Sequence, residues 1–128
     1  MHQLKAYICS PLSAATPEGI RRNMDAARWY MQTVSQIWDC RAVAPHAYLP
    51  EFLDDTDRQE RALALSFGLA YLDTCDRLVI CGGRITRGML GEILHAAARK
   101  IPIFWIREEY SPLRSNSDWI AYEEIQGW

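Results

Sequence analysis

Apolar positions along the chain alternate between two rhythms. Short runs rich in β-branched, aromatic or cysteine side chains, at Leu4–Cys9 (LKAYIC), Arg41–Ala44, Leu78–Cys81 and Ile101–Ile106 (IPIFWI), are too brief for helices and predict strands. Between them the period lengthens to that of a helix. Thr16 as N-cap, Pro17 at the first helical position and Glu18 in the first turn open one helix. Ile20, Met24, Ala27, Met31, Val34 and Ile37 form its apolar stripe to about Trp38, with Arg21, Arg22, Asn23 and Arg28 on its other faces. A second helix starts at Asp57. Leu63, Leu65, Phe67, Leu69, Ala70 and Leu72 cover most of its circumference, which predicts burial against sheet and neighbours alike. Gly82 and Gly83 end the third strand in a turn, and Thr86 caps a third helix whose Met89, Leu90, Ile93, Leu94 and Ala97 recur at helical spacing.

This β-α-β-α-β-α-β order predicts an α/β fold, a parallel sheet of four or five strands with helices on both faces, over a single domain of residues 1–128. Pro102 places the fourth strand early or at an edge. From Arg107 onward the pattern is mixed and predicts no definite element. Its aromatics, Tyr110, Trp119, Tyr122 and Trp128, are expected to pack on the domain or on a second subunit.

Composition narrows the function classes. A formal net charge of −2 over 128 residues lacks the basic surface that polymeric nucleic acid requires. All basic residues except Lys5 and Lys100 are arginine, the side chain that grips phosphate or carboxylate through two parallel bonds. Cys9, Cys40, Cys75 and Cys81 show no metal-ligand spacing and no signal peptide is visible, so a reduced, cytoplasmic chain without a metal or other cofactor is expected. No apolar run approaches the roughly 20 residues that span a bilayer.

In parallel sheets ligands bind at the carboxyl ends of the strands, here the loops Ser10–Ala15, Pro45–Asp55 and Gly82–Gly88. Glu92, one turn inside the third helix among apolar and small residues, is either a crevice carboxylate able to attack an anomeric carbon or an exposed helix acid. Thr86 and Gly88, with Arg84 and Arg87, form either a phosphate cradle or an ordinary cap beside solvated arginines. Ser10 and Ser13 offer hydroxyls to a sugar or phosphate, but their loop is neither a P-loop nor a dinucleotide fingerprint. On position alone Tyr7 reads as a core residue and His46 as a structural loop histidine. Asp54, Asp55 and Asp57 read as a solvated helix start, and Cys9 and Cys81 as small core residues.

Taken together, AYICSPLS, Asn23, APHAYLPEFLDD and CDRLVICGGRITRGMLGEILHAAARKIPIF resemble the nucleoside 2-deoxyribosyltransferase-like superfamily, in particular its small uncharacterised branch of bacteria and phages. The resemblance covers about residues 4–106. It implies a flavodoxin/Rossmann-like three-layer sandwich in which Glu92 is the nucleophile on C1′ and Tyr7 orients it. It also implies substrate contacts from Ser10, Pro11, Asn23, His46, Gly82, Gly83, Arg84, Thr86, Arg87, Gly88 and Met89. Transferases of the superfamily carry Asp where this chain has Thr86, whereas its deoxynucleoside monophosphate hydrolases carry a phosphate-binding Ser, so a nucleotide is the implied ligand. The superfamily's proton-donating Asp falls on Gly68, and Asp73, five residues on, faces another way, so either another group such as His46 does the acid work or catalysis is impaired. The expectation is therefore an N-glycosidic hydrolase or transferase acting on a nucleoside 5′-monophosphate. The alternative is a nucleotide-binding module without catalysis. The tail does not match the superfamily's, which leaves a homo-oligomer open.

Overall fold

Strand alternation sorts the core into two layers, one on each face of a single sheet. The computed structural model describes residues 3–54, 56–111 and 121–125. Its strands are β1 (Lys5–Cys9), β2 (Arg41–Val43), β3 (Arg77–Cys81), β4 (Ile103–Ile106) and β5 (Glu123–Ile125). Its helices are α1 (Pro17–Trp38), α2 (Arg58–Leu72) and α3 (Arg87–Ala98). Sheet order is β2-β1-β3-β4-β5, with the first four strands parallel and β5 antiparallel to β4. This is the expected α/β, Rossmann/flavodoxin-like architecture.

Because side chains along a strand point alternately up and down, Ala6, Ile8, Val79, Cys81 and Ile106 meet α1 on one face. Tyr7, Cys9, Leu78, Ile80 and Ile103 meet α2 and α3 on the other. Each fully buried aliphatic or aromatic side chain contributes about 1.5–3 kcal/mol. All four cysteines are buried and unpaired. Among the described residues no helix is long and apolar enough to cross a membrane.

Caps form where the chain signalled them. Thr16 Oγ1 accepts from Gly19 N at 3.1 Å, Asp57 Oδ1 from Gln59 N and Glu60 N at 2.9 and 3.0 Å, and Thr86 Oγ1 from Met89 N at 3.3 Å. Gly82 takes a φ of 103°, the left-handed region that favours glycine, at the turn leaving β3.

Three expectations need correction and one alternative is decided. First, α2 is not buried around its circumference: only Gly68 and Leu72 are, while Leu63 is 59 % and Phe67 47 % exposed. It rests chiefly against α3 and the Pro45–Ala47 segment, and a cleft opens beneath part of it. Second, β4 is an interior strand, so of the two positions open to Pro102 the early one holds: it precedes the strand, where no ladder N–H is needed, while its carbonyl accepts from Leu78 N at 2.9 Å. Third, Trp29, Tyr30 and Thr33 join the buried face of α1, whereas Ile20, Met31 and Ile37 sit at its half-exposed margin. Fourth, residues 45–51 are two 3-10 turns, Pro45–Ala47 and Leu49–Glu51, rather than open loop.

The tail supplies the fifth strand, which the sequence did not announce. Tyr122 packs against Trp38 and Phe104, with ring centroids 4.7 and 6.2 Å apart, and Tyr110 lies 5.9 Å from Trp29, so these two aromatics pack on the domain as expected. Trp119, Trp128 and Asp55 lie outside the described residues.

Candidate active site

The chain leaves β1, runs outward to β2, then crosses back to β3, so the switch point of the sheet lies beside the carboxyl end of β1. A cleft opens there. Its cavity volume is about 90 Å³. Its floor is Tyr7 and Ser10 from the end of β1. One wall is the apolar segment Pro45–Leu53, the opposite wall is α2, and the inner end is the amino end of α3 with Thr86, Gly88, Met89 and Glu92.

Tyr7 is 1 % exposed and donates its hydroxyl to Glu92 Oε2. Burial pushes the Glu92 carboxyl up to about 7, against hydrogen bonds from Tyr7 and Cys9 that favour its charged form. Burial and the neighbouring carboxylate push the Tyr7 phenol far above its ordinary value, so it stays a donor. At neutral pH Glu92 is thus divided between acid and carboxylate, and both forms are held in one place.

Ser10 Oγ and His46 Nε2 lie 2.7 Å apart on the other side of the floor. Burial lowers His46 to about 4, so its ring is neutral at neutral pH and stores no proton for a leaving group. Arg28, from α1, clasps the apolar wall from behind. Its Nη2 donates to Ala47 O at 2.9 Å and to Glu51 Oε1 at 2.6 Å, and its guanidinium lies 4.7 Å from the centre of the Tyr48 ring.

Tyr7, Ser10, His46, Thr86, Gly88, Met89 and Glu92 therefore come together as expected. Six expected contacts do not line the cleft. Pro11 sits between the lining residues Ser10 and Leu12, and Asn23 Nδ2 braces that loop by donating to Leu12 O at 2.8 Å. Gly82 and Gly83 stand outside the lining: Gly82 O accepts from Trp105 Nε1 at 2.9 Å, and a Cβ at Gly83 would meet Glu109 at 2.8 Å. Arg84 and Arg87 are exposed outside the lining.

The residues that sequence reading missed are on α2: Glu60, Arg61, Ala64 and Leu65 line the cleft together with Gly68, the position to which the resemblance assigned the missing acid. Their spacing of three and four is one helix face, a signal hidden by the neighbouring leucines. Arg61 Nη1 donates to Ser13 Oγ at 3.2 Å and is the cleft's lining arginine. Gly68 is the point of closest approach. A Cβ there would stand 3.0 Å from the Tyr7 hydroxyl and 3.7 Å from Glu92 Oε2, so a side chain at position 68 would face the carboxylate directly. Asp73 does not: it binds His95 Nε2 at 2.7 Å and Arg99 Nε at 2.6 Å on the outer surface.

A family model described as a domain of unknown function, DUF7768, matches residues 4–106. The chain belongs to that family. No curated protein matches it. The DUF7768 region includes every residue that lines the cleft and ends with β4, leaving β5 outside. Among its described residues no three His, Cys, Asp or Glu side chains gather as a metal site.

Proposed function

We propose that this chain cleaves the N-glycosidic bond of a nucleoside 5′-monophosphate, with Glu92 as nucleophile. The observation that carries the reading is the Tyr7–Glu92 pair: a desolvated carboxylate fixed by a phenol at the floor of a cleft at the sheet's switch point. The sequence likeness to the nucleoside 2-deoxyribosyltransferase-like superfamily supports the same roles for Glu92 and Tyr7. The Glu92 oxygen bonds to C1′ as the C1′–N bond breaks and its electron pair leaves with the base. Water then hydrolyses the glycosyl ester, or another base takes the sugar.

Thr86, whose oxygen already accepts from Met89 N, has its proton free to donate to the phosphate beside the amino end of α3, and Ser10 adds a second hydroxyl. Arg61 takes the cationic part expected of Arg84 or Arg87. Position 68 carries no acid and His46 is neutral, so the departing base draws its proton from solvent. Bases that leave as stable anions react fastest on this reading.

The absent acid also favours a second reading, a module that binds a nucleotide without cutting it. Incubation with ribo- and deoxyribonucleoside 5′-monophosphates, following free base by chromatography, separates the two. Glycosidic action requires base release that Glu92→Ala abolishes, a loss of at least about 10³-fold. Equal release by Glu92→Ala overturns it. A rise in melting temperature with one nucleotide and no release identifies the binder.

A further inference from the structure

Position 68 is an opening as well as an absence. Gly68 lines the cleft beside Tyr7 and Glu92, and a Cβ there would stand 3.0 Å from the Tyr7 hydroxyl and 3.7 Å from Glu92 Oε2. Any longer side chain would fill the space in front of the pair. Glycine weakens a helix interior relative to alanine, and the backbone of Gly68 is ordinary helix without a positive φ, so conformation does not call for glycine here. What calls for it is room.

The pair that faces this space presents acceptors. Tyr7 has one hydroxyl proton and donates it to Glu92 Oε2, so its oxygen keeps lone pairs that can accept. The charged carboxylate, the form that attacks, has acceptors only. A ligand group entering here is therefore held by donating. In the reaction proposed above C1′ meets Glu92, and of the atoms around C1′ the ring oxygen and the glycosidic nitrogen carry no proton. A hydroxyl on C2′ does.

We infer that the cleft is built for a ribose 2′-hydroxyl, received in the space that Gly68 leaves open and bound by the Tyr7 oxygen and the Glu92 carboxylate, so that its ligands are ribonucleoside 5′-monophosphates rather than their 2′-deoxy counterparts. The inference rests on the glycosidic reading for the placement of C1′, and it names the sugar that reading leaves open. A sugar without the hydroxyl displaces water from these acceptors and gives them no donor in return. Sites built to bond a hydroxyl discriminate strongly against the analogue that lacks it for this reason. Gly68 is then a specificity-determining residue, because a side chain there would take the place of the hydroxyl.

The test compares matched ligands on the unaltered protein. Calorimetric titration with the 5′-monophosphates of adenosine and deoxyadenosine, and of cytidine and deoxycytidine, gives the dissociation constants; where base is released, KM and kcat are read as well. The ribonucleotide of each pair binds about tenfold to a hundredfold more tightly. The 2′-fluoro-2′-deoxy analogues, which match the hydroxyl in size without its proton, bind like the deoxynucleotides. Gly68→Ala narrows the ratio to within about threefold by weakening the ribonucleotide. Tyr7→Phe, which keeps the ring and removes the oxygen, narrows it likewise and replaces Gly68→Ala where the added methyl prevents folding. Equal or tighter binding of the deoxynucleotides, or a 2′-fluoro analogue that matches the ribonucleotide, overturns the inference even where base is released and the glycosidic reading stands. A ribose preference without base release upholds the recognition of the sugar and overturns the glycosidic reading alone. Binding of none of these nucleotides overturns both.

Discussion

On the α1 side of the sheet a 22-residue helix lowers Trp29, Tyr30 and Val34 onto Ala6, Ile8, Val79 and Ile106. On the other side the 15-residue α2 buries only Gly68 and Leu72. The first face is closed by side chains and the second is held open by the lack of one. Tyr30 illustrates the closed face: its hydroxyl accepts from Tyr110 N at 3.0 Å, and burial raises it to about 12. Tyr7, on the open face, spends its hydroxyl on Glu92 instead. Two buried tyrosines thus do different work: one ties the strand-to-tail segment to α1, the other holds the carboxylate of the cleft.

If the faces divide the labour this way, stability resides mainly on the α1 side. Trp29→Ala removes a large ring packed on Tyr30 and Tyr110 and costs about 3–5 kcal/mol, read from the urea midpoint. A loss below about 1 kcal/mol would break the comparison.

The next effect lies in the cleft and depends on pH. Glu92 is raised from 4.5 to about 7, so between those values the folded chain holds a proton that the unfolded chain has released. Its contribution to stability is complete below 4.5 and is lost as pH rises through 7. His46 is lowered from 6.5 to about 4, the opposite case: its contribution is present above 6.5 and is lost as pH falls toward 4. Each amounts to roughly 3 kcal/mol, and in the wild type they largely offset one another across the shared window. Glu92→Gln relative to wild type gains stability as pH rises from 4.5 to 7, and His46→Gln gains as pH falls from 6.5 to 4. Parallel, pH-independent differences in the two variants would show that neither group is desolvated by the cleft.

The smallest effect sharpens the contrast within α2 itself. Leu63→Gln, on the outward side, changes stability by less than about 0.5 kcal/mol and leaves the pH dependence of stability unaltered.

Much of this was legible in advance. Strand runs, caps at Thr16 and Thr86, and the helical spacing around Glu92 each carry their own local signal, and they placed β1, α1, β3 and α3 closely. The face of α2 was not legible, because its leucines have the same helical period whether they meet a sheet, a ligand or water. Arg61 escaped notice for the same reason, while Arg84 and Arg87, adjacent in sequence to the glycine turn, drew attention that their exposed positions do not support. The three-residue β5 has no pattern long enough to read, since its pairing is decided by β4.

The Arg28 clasp connects the two faces mechanically. The apolar wall of the cleft is fastened to α1, the best-buried helix, while the facing wall is α2, the least buried. The cleft therefore has one wall anchored across the sheet and one held by few buried side chains, and the gap above Tyr7 and Glu92 is gauged in part by a helix on the far side of the sheet.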